Sequence, residues 1–191
     1  MRAKKDLRRE MRARRREFVA TLPASVRALI LNRPPAAVAE RLAGLGTIGL
    51  YYPVGDEAPS LGWARWLHEN GWQVALPRLA ARDAPMQFHL WTNPWDEDLL
   101  EPGLAEIPQP RADSPAIVPD ALVVPLVAFT ADGHRLGQGA GHYDRWLASH
   151  DPIATIGLAW DAQLVDDLPV EPHDQRLTAV VTPTRLFWSE S

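Results

Sequence analysis

The chain has 191 residues, of which 46% are hydrophobic and 23% charged, and its formal net charge at pH 7 is −4. This length and composition are typical of one globular domain whose core needs no disulfide or metal to stabilise it. Because the chain has no cysteine, a thiolate nucleophile, a cysteine zinc site and an iron–sulfur cluster are excluded.

The first predicted element is a basic helix over residues 3 to about 20. Nine of the 20 Lys and Arg residues lie within residues 1–16, so the rest of the chain is acidic. Leu7, Met11 and Phe18 recur at helical spacing and form a narrow apolar face that would pack on the body. Such a helix suits an anionic ligand, a nucleic acid or the acidic body itself.

The charged start is not followed by an apolar segment typical of a signal peptide. No later run approaches the roughly 18 apolar residues that a membrane span needs. We therefore expect a cytoplasmic protein with no membrane partner.

Helices and strands alternate along the rest of the chain. The further predicted helices cover about 25–44, with a break at 32–35, then 61–70, and a segment that begins near Tyr143. The predicted strands are 47–52, 72–77, 86–91, 121–129, 154–160 and, as the last strand, 177–182. The proline-rich stretch 92–119 is expected to be mostly loop. This order predicts one α/β domain over residues 1–191, a three-layer α/β/α sandwich around a mostly parallel, Rossmann-like sheet, with ligands at the carboxyl ends of its strands.

Residues 132–145, with the sequence DGHRLGQGAGHYDR, carry the sharpest functional signal. Gly137, Gly139 and Gly141 alternate between an apolar strand and a helix, which lets backbone N–H groups approach phosphate oxygens. The spacing fits neither the Rossmann fingerprint nor the P-loop, and a tight turn that binds nothing is the alternative. Two neighbours favour the phosphate interpretation. Arg135 can pair with phosphate, and Asp144 is either a magnesium ligand or a helix cap.

The segment resembles the hallmark R-L-G-x-G-x-G-x-Y-D of the 5-formyltetrahydrofolate cyclo-ligase family. Three further blocks occur in the family's order: KKDLR at 4–8, YPVGDEAPS at 52–60 and IPQP at 107–110. Weaker matches are LPR at 76–78, the strand at 86–91 and PHD at 172–174. The resemblance therefore covers nearly the whole chain. The chain departs from the family's pattern at Leu126, Thr130, Gln138, Ala140 and His142.

The resemblance implies an enzyme that uses ATP and Mg²⁺ to convert 5-formyltetrahydrofolate into 5,10-methenyltetrahydrofolate, with release of ADP and phosphate. ATP would phosphorylate the formyl oxygen, and N10 would then attack the activated carbon. This chemistry needs positioning and charge neutralisation more than a protein nucleophile, which suits a chain without cysteine. A diverged family member that uses ATP or folate differently, or binds folate or nucleotide without this activity, is one alternative. An RNA-binding protein is another, which the acidic body disfavours.

The resemblance also implies roles for individual residues. The ATP-binding residues would be Lys4, Lys5, Arg8, Arg135, Leu136, Gly137, Gln138, Gly139, Ala140, Gly141, His142 and Tyr143, and the catalytic residues Arg135 and Tyr143. The folate-binding residues would be Tyr52, Glu57, Gln138, Gly139, Ala140, Gly141 and His142. The magnesium ligands would be Asp144 and Asp174.

Some of these assignments have simpler alternatives. Glu57 could be an exposed loop carboxylate and Asp174 a solvated loop acid. We assign no role in proton transfer to His134, His142 or His173. The partner is expected to be reduced folate and not nucleic acid, the protein a monomer, and the first helix mobile without ATP.

Overall fold

A computed structural model describes residues 3–171 and 174–189, without the side chain of Ala28. The helices are α1 (Lys4–Thr21), α2 (Ala24–Leu29), α3 (Ala36–Leu42), α4 (Leu61–Glu69) and α5 (His142–Leu147), with 3-10 turns at Glu97–Leu99, Leu104–Glu106 and Asp161–Gln163. The strands are β1 (Thr47–Gly49), β2 (Gln73–Arg78), β3 (Gln87–Leu90), β4 (Leu100–Pro102), β5 (Pro108–Pro110), β6 (Ala116–Ile117), β7 (Ala121–Pro125), β8 (Ala128–Phe129), β9 (Arg135–Leu136), β10 (Ala154–Leu158), β11 (Ala179–Val181) and β12 (Leu186–Trp188).

Eight strands form the central sheet in the order β12-β11-β10-β7-β1-β2-β3-β6. The five inner strands from β11 to β2 are parallel, and β12, β3 and β6 are added antiparallel at the two edges. The smaller pairs β4–β5 and β8–β9 lie outside this sheet. The mostly parallel sheet is the one predicted from the sequence.

Helices cover both faces of the sheet. On one face, Val38 of α3 and Trp63 of α4 pack in the same apolar cluster as Val123. On the other face, Trp146 of α5 packs in a second cluster with Leu122. Because successive strand residues point to opposite faces, this division confirms the predicted three-layer sandwich.

The basic helix α1 docks on the body, as its apolar spacing predicted. Its buried residues are Leu7, Met11, Arg15 and Val19, which recur every fourth position. Leu7 and Met11 pack in a third cluster beside β8 and β9, and Val19 reaches the cluster around α3 and α4. None of the helices in the described ranges is long and apolar enough to cross a membrane.

The strand boundaries differ from prediction in several places. The strand predicted at 121–129 is two strands, because β7 leaves the main sheet after Pro125, which has no backbone N–H to continue the ladder. The strand predicted at 47–52 ends at Gly49. The loop predicted at 92–119 contains β4, β5 and β6, and β12 follows the strand that was expected to be the last.

Candidate functional site

A cavity of about 970 Å³ lies at the carboxyl ends of the parallel strands. Its walls include Tyr52 after β1, Leu79 after β2 and Pro125 at the end of β7. The glycine-rich segment 137–141, between β9 and α5, and the inner face of α1 complete the lining. Ligands of open α/β sheets bind at this end, so the cavity lies where the fold predicts it.

The sequence blocks that carry the resemblance meet in this cavity. Lys4 and Arg8 represent the first block, Tyr52 and Glu57 the second, and residues 107–109 the third. From the hallmark segment, every residue from Arg135 to Asp144 contributes to the lining. Of the residues proposed for a site, Lys5 alone does not line the cavity, and its side chain is exposed on α1.

The glycine segment takes a backbone conformation that other residues would not adopt. Gly139 and Gly141 have φ angles of 107° and 68°. Gly137 has no atom within 4 Å of the place where a Cβ would lie, so the backbone there faces open space. These features suit close approach of a ligand to the backbone, and the six-residue helix α5 follows directly.

Helix α1 is held against the glycine segment by arginine side chains. Arg8 Nε donates to the carbonyl oxygen of Gly137 at 2.9 Å. Arg12 Nη2 donates to the carbonyl oxygen of Gln138 at 2.8 Å and to its side-chain Oε1 at 2.9 Å. Two positive charges of α1 therefore lie beside the glycine segment, where an anionic ligand would meet them.

Arg135 and Asp144 form an ion pair inside the cavity wall. Arg135 Nη2 lies 2.5 Å from Asp144 Oδ1, and Arg135 Nη1 donates to the carbonyl oxygen of Gln175 at 2.7 Å. The Arg135 side chain is only 4% exposed, and burial lowers its pKa while the Asp144 charge raises it. The carboxylate of Asp144, in the first turn of α5, is therefore paired with this arginine.

Asp174 lies at the same end of the cavity. Its Oδ2 accepts from Lys4 Nζ at 2.7 Å and from the backbone N–H of Glu171 at 2.7 Å. Asp174 is therefore a cavity residue and not a solvated loop acid. Among the described residues, no group of three or more His, Asp or Glu side chains is placed to hold a metal ion, and the carboxylates that we consider for one are those of Asp144 and Asp174. Such a donor set fits Mg²⁺, which binds one or two carboxylates and takes its other ligands from substrate phosphates and water.

Glu57 is half-buried in the cavity and is not the exposed loop carboxylate that we considered. Its Oε2 accepts from the backbone N–H of Val54 at 3.0 Å, and its Oε1 accepts from Gln138 Nε2 at 2.7 Å. Burial raises the pKa of Glu57, whereas the bond from Val54 and the charge of Arg15 lower it. Gln138 thus connects the glycine segment with the segment after β1.

The cavity also contains a buried hydroxyl group without a partner. The Tyr143 Oη atom is buried and makes no hydrogen bond. Burial raises the pKa of Tyr143 far above its usual value, so the hydroxyl stays protonated and can donate to a ligand. Tyr52, 6.4 Å from the Trp91 ring, forms part of the wall with Leu79 and Met86. The cavity therefore offers an apolar wall beside polar donors and acceptors.

The histidines have different positions. His142 lines the cavity and contacts Arg145, and burial lowers its pKa. His134 lies 3.6 Å from Asp132, away from the cavity lining. His173 and Pro172 lie outside the described residues.

The sequence interpretation missed Arg12 and Arg15, which both belong to the site region. Arg15 lines the cavity, and Arg12 bonds to Gln138. The signal for Arg15 was present, since it lies four residues after Met11 and four before Val19 on the apolar face of α1. In a run of basic residues, this periodicity is easily overlooked.

Known proteins resemble this chain over most of its length. A model of the 5-formyltetrahydrofolate cyclo-ligase family matches residues 1–183. A 5-formyltetrahydrofolate cyclo-ligase of Mycolicibacterium smegmatis is 39% identical over 148 residues, which are 73% of this chain and 74% of that protein. One of Escherichia coli is 33% identical over 164 residues, which are 83% of this chain and 86% of that protein.

The fold is also found among solved structures. A 5,10-methenyltetrahydrofolate synthetase of Aquifex aeolicus has a TM-score of 0.75 and 21% identity, covering 98% of this chain and 93% of that one. A 5,10-methenyltetrahydrofolate synthetase of Mycoplasma pneumoniae has a TM-score of 0.66 and 20% identity, covering 99% of this chain and 100% of that one. The family match extends over nearly the whole sequence, and the two curated relatives are more than 30% identical over most of their length. This chain belongs to the 5-formyltetrahydrofolate cyclo-ligase family.

Proposed function

We propose that this protein converts 5-formyltetrahydrofolate into 5,10-methenyltetrahydrofolate in a reaction that consumes ATP and requires Mg²⁺. The observation that carries the proposal is a single cavity with two chemically different parts. One part has cationic side chains and a glycine-rich backbone, and the other has Glu57 beside apolar and aromatic walls. A phosphate donor and a flat heterocycle could therefore meet inside one enclosure.

The cationic part suits the triphosphate of ATP. Lys4, Arg8 and Arg135 supply positive charge, and the segment 137–141 supplies backbone without side-chain obstruction. Asp144 and Asp174 would hold Mg²⁺, which neutralises phosphate charge when it is bound. Lys5 is exposed, and its proposed role at the phosphates has only the sequence resemblance in support.

The other part suits the pterin ring of a reduced folate. Glu57 can accept hydrogen bonds from the ring N–H and the exocyclic amino group, and Tyr52 provides an aromatic wall. The Tyr143 hydroxyl is a free donor between the two parts of the cavity and could bond the formyl oxygen. Gln138 and His142 line the junction, where they would contact both substrates.

The resemblance to the family implies the reaction steps, and this arrangement would support them. The formyl oxygen attacks the γ-phosphorus of ATP, and ADP departs. N10 then attacks the formyl carbon and loses its proton, the C–O bond breaks, and phosphate leaves to give the methenyl bridge. Arg135 would stabilise the charge that develops on the transferring phosphoryl group.

The proposal is tested by the rise of methenyltetrahydrofolate absorbance when the purified protein is mixed with 5-formyltetrahydrofolate, ATP and Mg²⁺. We expect turnover that stops when ATP is omitted and falls by at least about tenfold when Mg²⁺ is removed by a chelator. ADP and product should form in equal amounts. Folate binding without product would instead identify a diverged family member that binds without this activity.

We also expect α1 to become more protected when the nucleotide binds. Arg8 and Lys4 of this helix contact Gly137 and Asp174, and bound phosphates would add further contacts to both side chains. Mg-ATP should therefore slow tryptic cleavage within residues 4–21. The rate of fragment formation, followed by mass spectrometry, measures this. Equal rates with and without Mg-ATP would contradict mobility of the helix.

Several expectations from the sequence stay predictions. They are one domain over residues 1–191, a monomeric state, a cytoplasmic location and the absence of nucleic-acid or membrane partners.

A further inference from the structure

Arg15 lies on the buried face of α1, where the neighbouring positions carry apolar side chains. Leu7, Met11, Arg15 and Val19 form the buried face of the helix, and Arg15 is as buried as the others, with 7% of its surface exposed. Burying a guanidinium group costs free energy unless hydrogen bonds and opposite charges compensate. Because α1 docks with Arg15 buried, groups that compensate for this cost are expected beside its side chain.

The structure supplies those partners only in part. Nε and Nη1 of Arg15 are buried and find no hydrogen-bond acceptor. Glu57 and Asp56 attract the charge of Arg15, but across the described ranges no carboxylate lies within ion-pair distance of it. Arg15 lines the cavity, so a ligand bound there would lie beside its guanidinium group. Buried donors without partners are rare in native proteins and indicate a missing acceptor.

The position of Arg15 along α1 indicates which part of the cavity it serves. Arg8, one of the phosphate candidates, lies seven residues earlier, which corresponds to about 10 Å along a helix. The carboxylates that attract Arg15 are Glu57 and Asp56, after β1, and the next residue of the helix, Arg16, lies 3.9 Å from Asp56. Arg15 therefore belongs to the part of the cavity that we assign to the folate.

We propose that Arg15 binds the pterin ring of the substrate, donating hydrogen bonds to its C4 carbonyl oxygen while Glu57 accepts from the neighbouring N–H groups. The inference rests on the proposed function. A pterin edge carries one carbonyl acceptor next to two donor groups, so recognition of the full edge requires a donor beside the carboxylate. The glutamate tail of the folate is an unsuitable partner, because its carboxylates favour water over a buried position.

The test compares Arg15→Met, Arg15→Lys and the matched control Arg16→Met, whose native side chain is 74% exposed and does not line the cavity. We expect Arg15→Met to raise KM for 5-formyltetrahydrofolate by about 10- to 100-fold, with KM for ATP changed less than about threefold. Arg15→Lys should restore part of the affinity, and Arg16→Met should behave as the wild type.

Thermal melting separates a binding role from a structural one. The ligand-free Arg15→Met protein should melt at the same or a higher temperature than the wild type, because an unpaired buried cation has been removed. Its Tm should rise less than that of the wild type when folate is added. An unchanged folate KM together with a lowered ligand-free Tm would mean that Arg15 is structural and would overturn the inference, as would an effect confined to KM for ATP.

A substrate without the glutamate tail, 5-formyltetrahydropteroate, distinguishes the two ends of the folate. If Arg15 binds the pterin, the ratio of variant to wild-type KM is the same for both substrates. A ratio that falls to one with the truncated substrate would overturn the pterin assignment. Wild-type protein that neither binds nor converts 5-formyltetrahydrofolate would overturn the proposed function as well, whereas active wild type with a normal Arg15→Met variant would overturn this inference alone.

Discussion

Replacing Arg135 by methionine is expected to lower kcat by about 1000-fold, the scale seen when a charged group that stabilises phosphoryl transfer is lost. Arg135 is the cation buried most deeply beside the glycine segment, and its guanidinium is held by Asp144 and Gln175. A fixed charge of this kind needs no reorganisation as the phosphoryl group moves. Lysine at this position keeps the charge but not both hydrogen bonds. The kcat of Arg135→Lys should therefore lie between those of the wild type and Arg135→Met.

The matched control is Arg176→Met, which removes another arginine that bonds to an aspartate, here Asp132 at 2.8 Å. Arg176 lies outside the cavity lining and is 47% exposed, so its loss should leave kcat within about twofold of the wild type. Single-turnover formation of ADP measures the phosphoryl step directly. Arg135→Met with normal single-turnover kinetics would contradict a role for this arginine in phosphoryl transfer.

Replacing Glu57 by glutamine is expected to reduce kcat/KM for 5-formyltetrahydrofolate by about 100-fold, because a buried acceptor for the pterin N–H groups loses its charge and half of its accepting capacity. KM for ATP should change little. Initial rates at varied concentrations of each substrate make the comparison. A loss shared equally between the two substrates would contradict the assignment of Glu57 to the folate.

The same variant gives a pH test in the ligand-free protein. Burial raises the pKa of Glu57, so the folded protein binds this proton more tightly than the unfolded chain, and stability falls as pH rises through the raised pKa. Glutamine does not ionise. Glu57→Gln should therefore melt at a higher temperature than the wild type at about pH 8, and the difference should shrink towards about pH 4, where the wild-type carboxyl is protonated.

The sequence was sufficient to predict the fold class and the end of the sheet at which the cavity lies. Apolar strands that alternate with amphipathic helices predict a parallel sheet, and the glycine-rich segment between β9 and α5 lines the cavity at the carboxyl ends of its strands. The helix predicted at 3–20 is found as α1. These features depend on local periodicity and turn residues, which a single sequence displays directly.

What could not be predicted depends on contacts between distant segments. The hydrogen bond from Gln138 to Glu57 joins residues 81 positions apart, and the bond from Arg12 to Gln138 joins residues 126 positions apart. Strand β12 has only three residues, too few for a periodic signal. The strand is defined by its antiparallel pairing with β11, which the local sequence pattern did not indicate.

The two edges of the central sheet end in very short antiparallel strands, two residues in β6 and three in β12. A long exposed edge strand offers its unpaired amide and carbonyl groups to another chain and so promotes fibril-like stacking. Here each edge strand is too short to offer a long row of such groups. We therefore expect concentrated preparations of the folded protein to resist β-sheet aggregation through these edges.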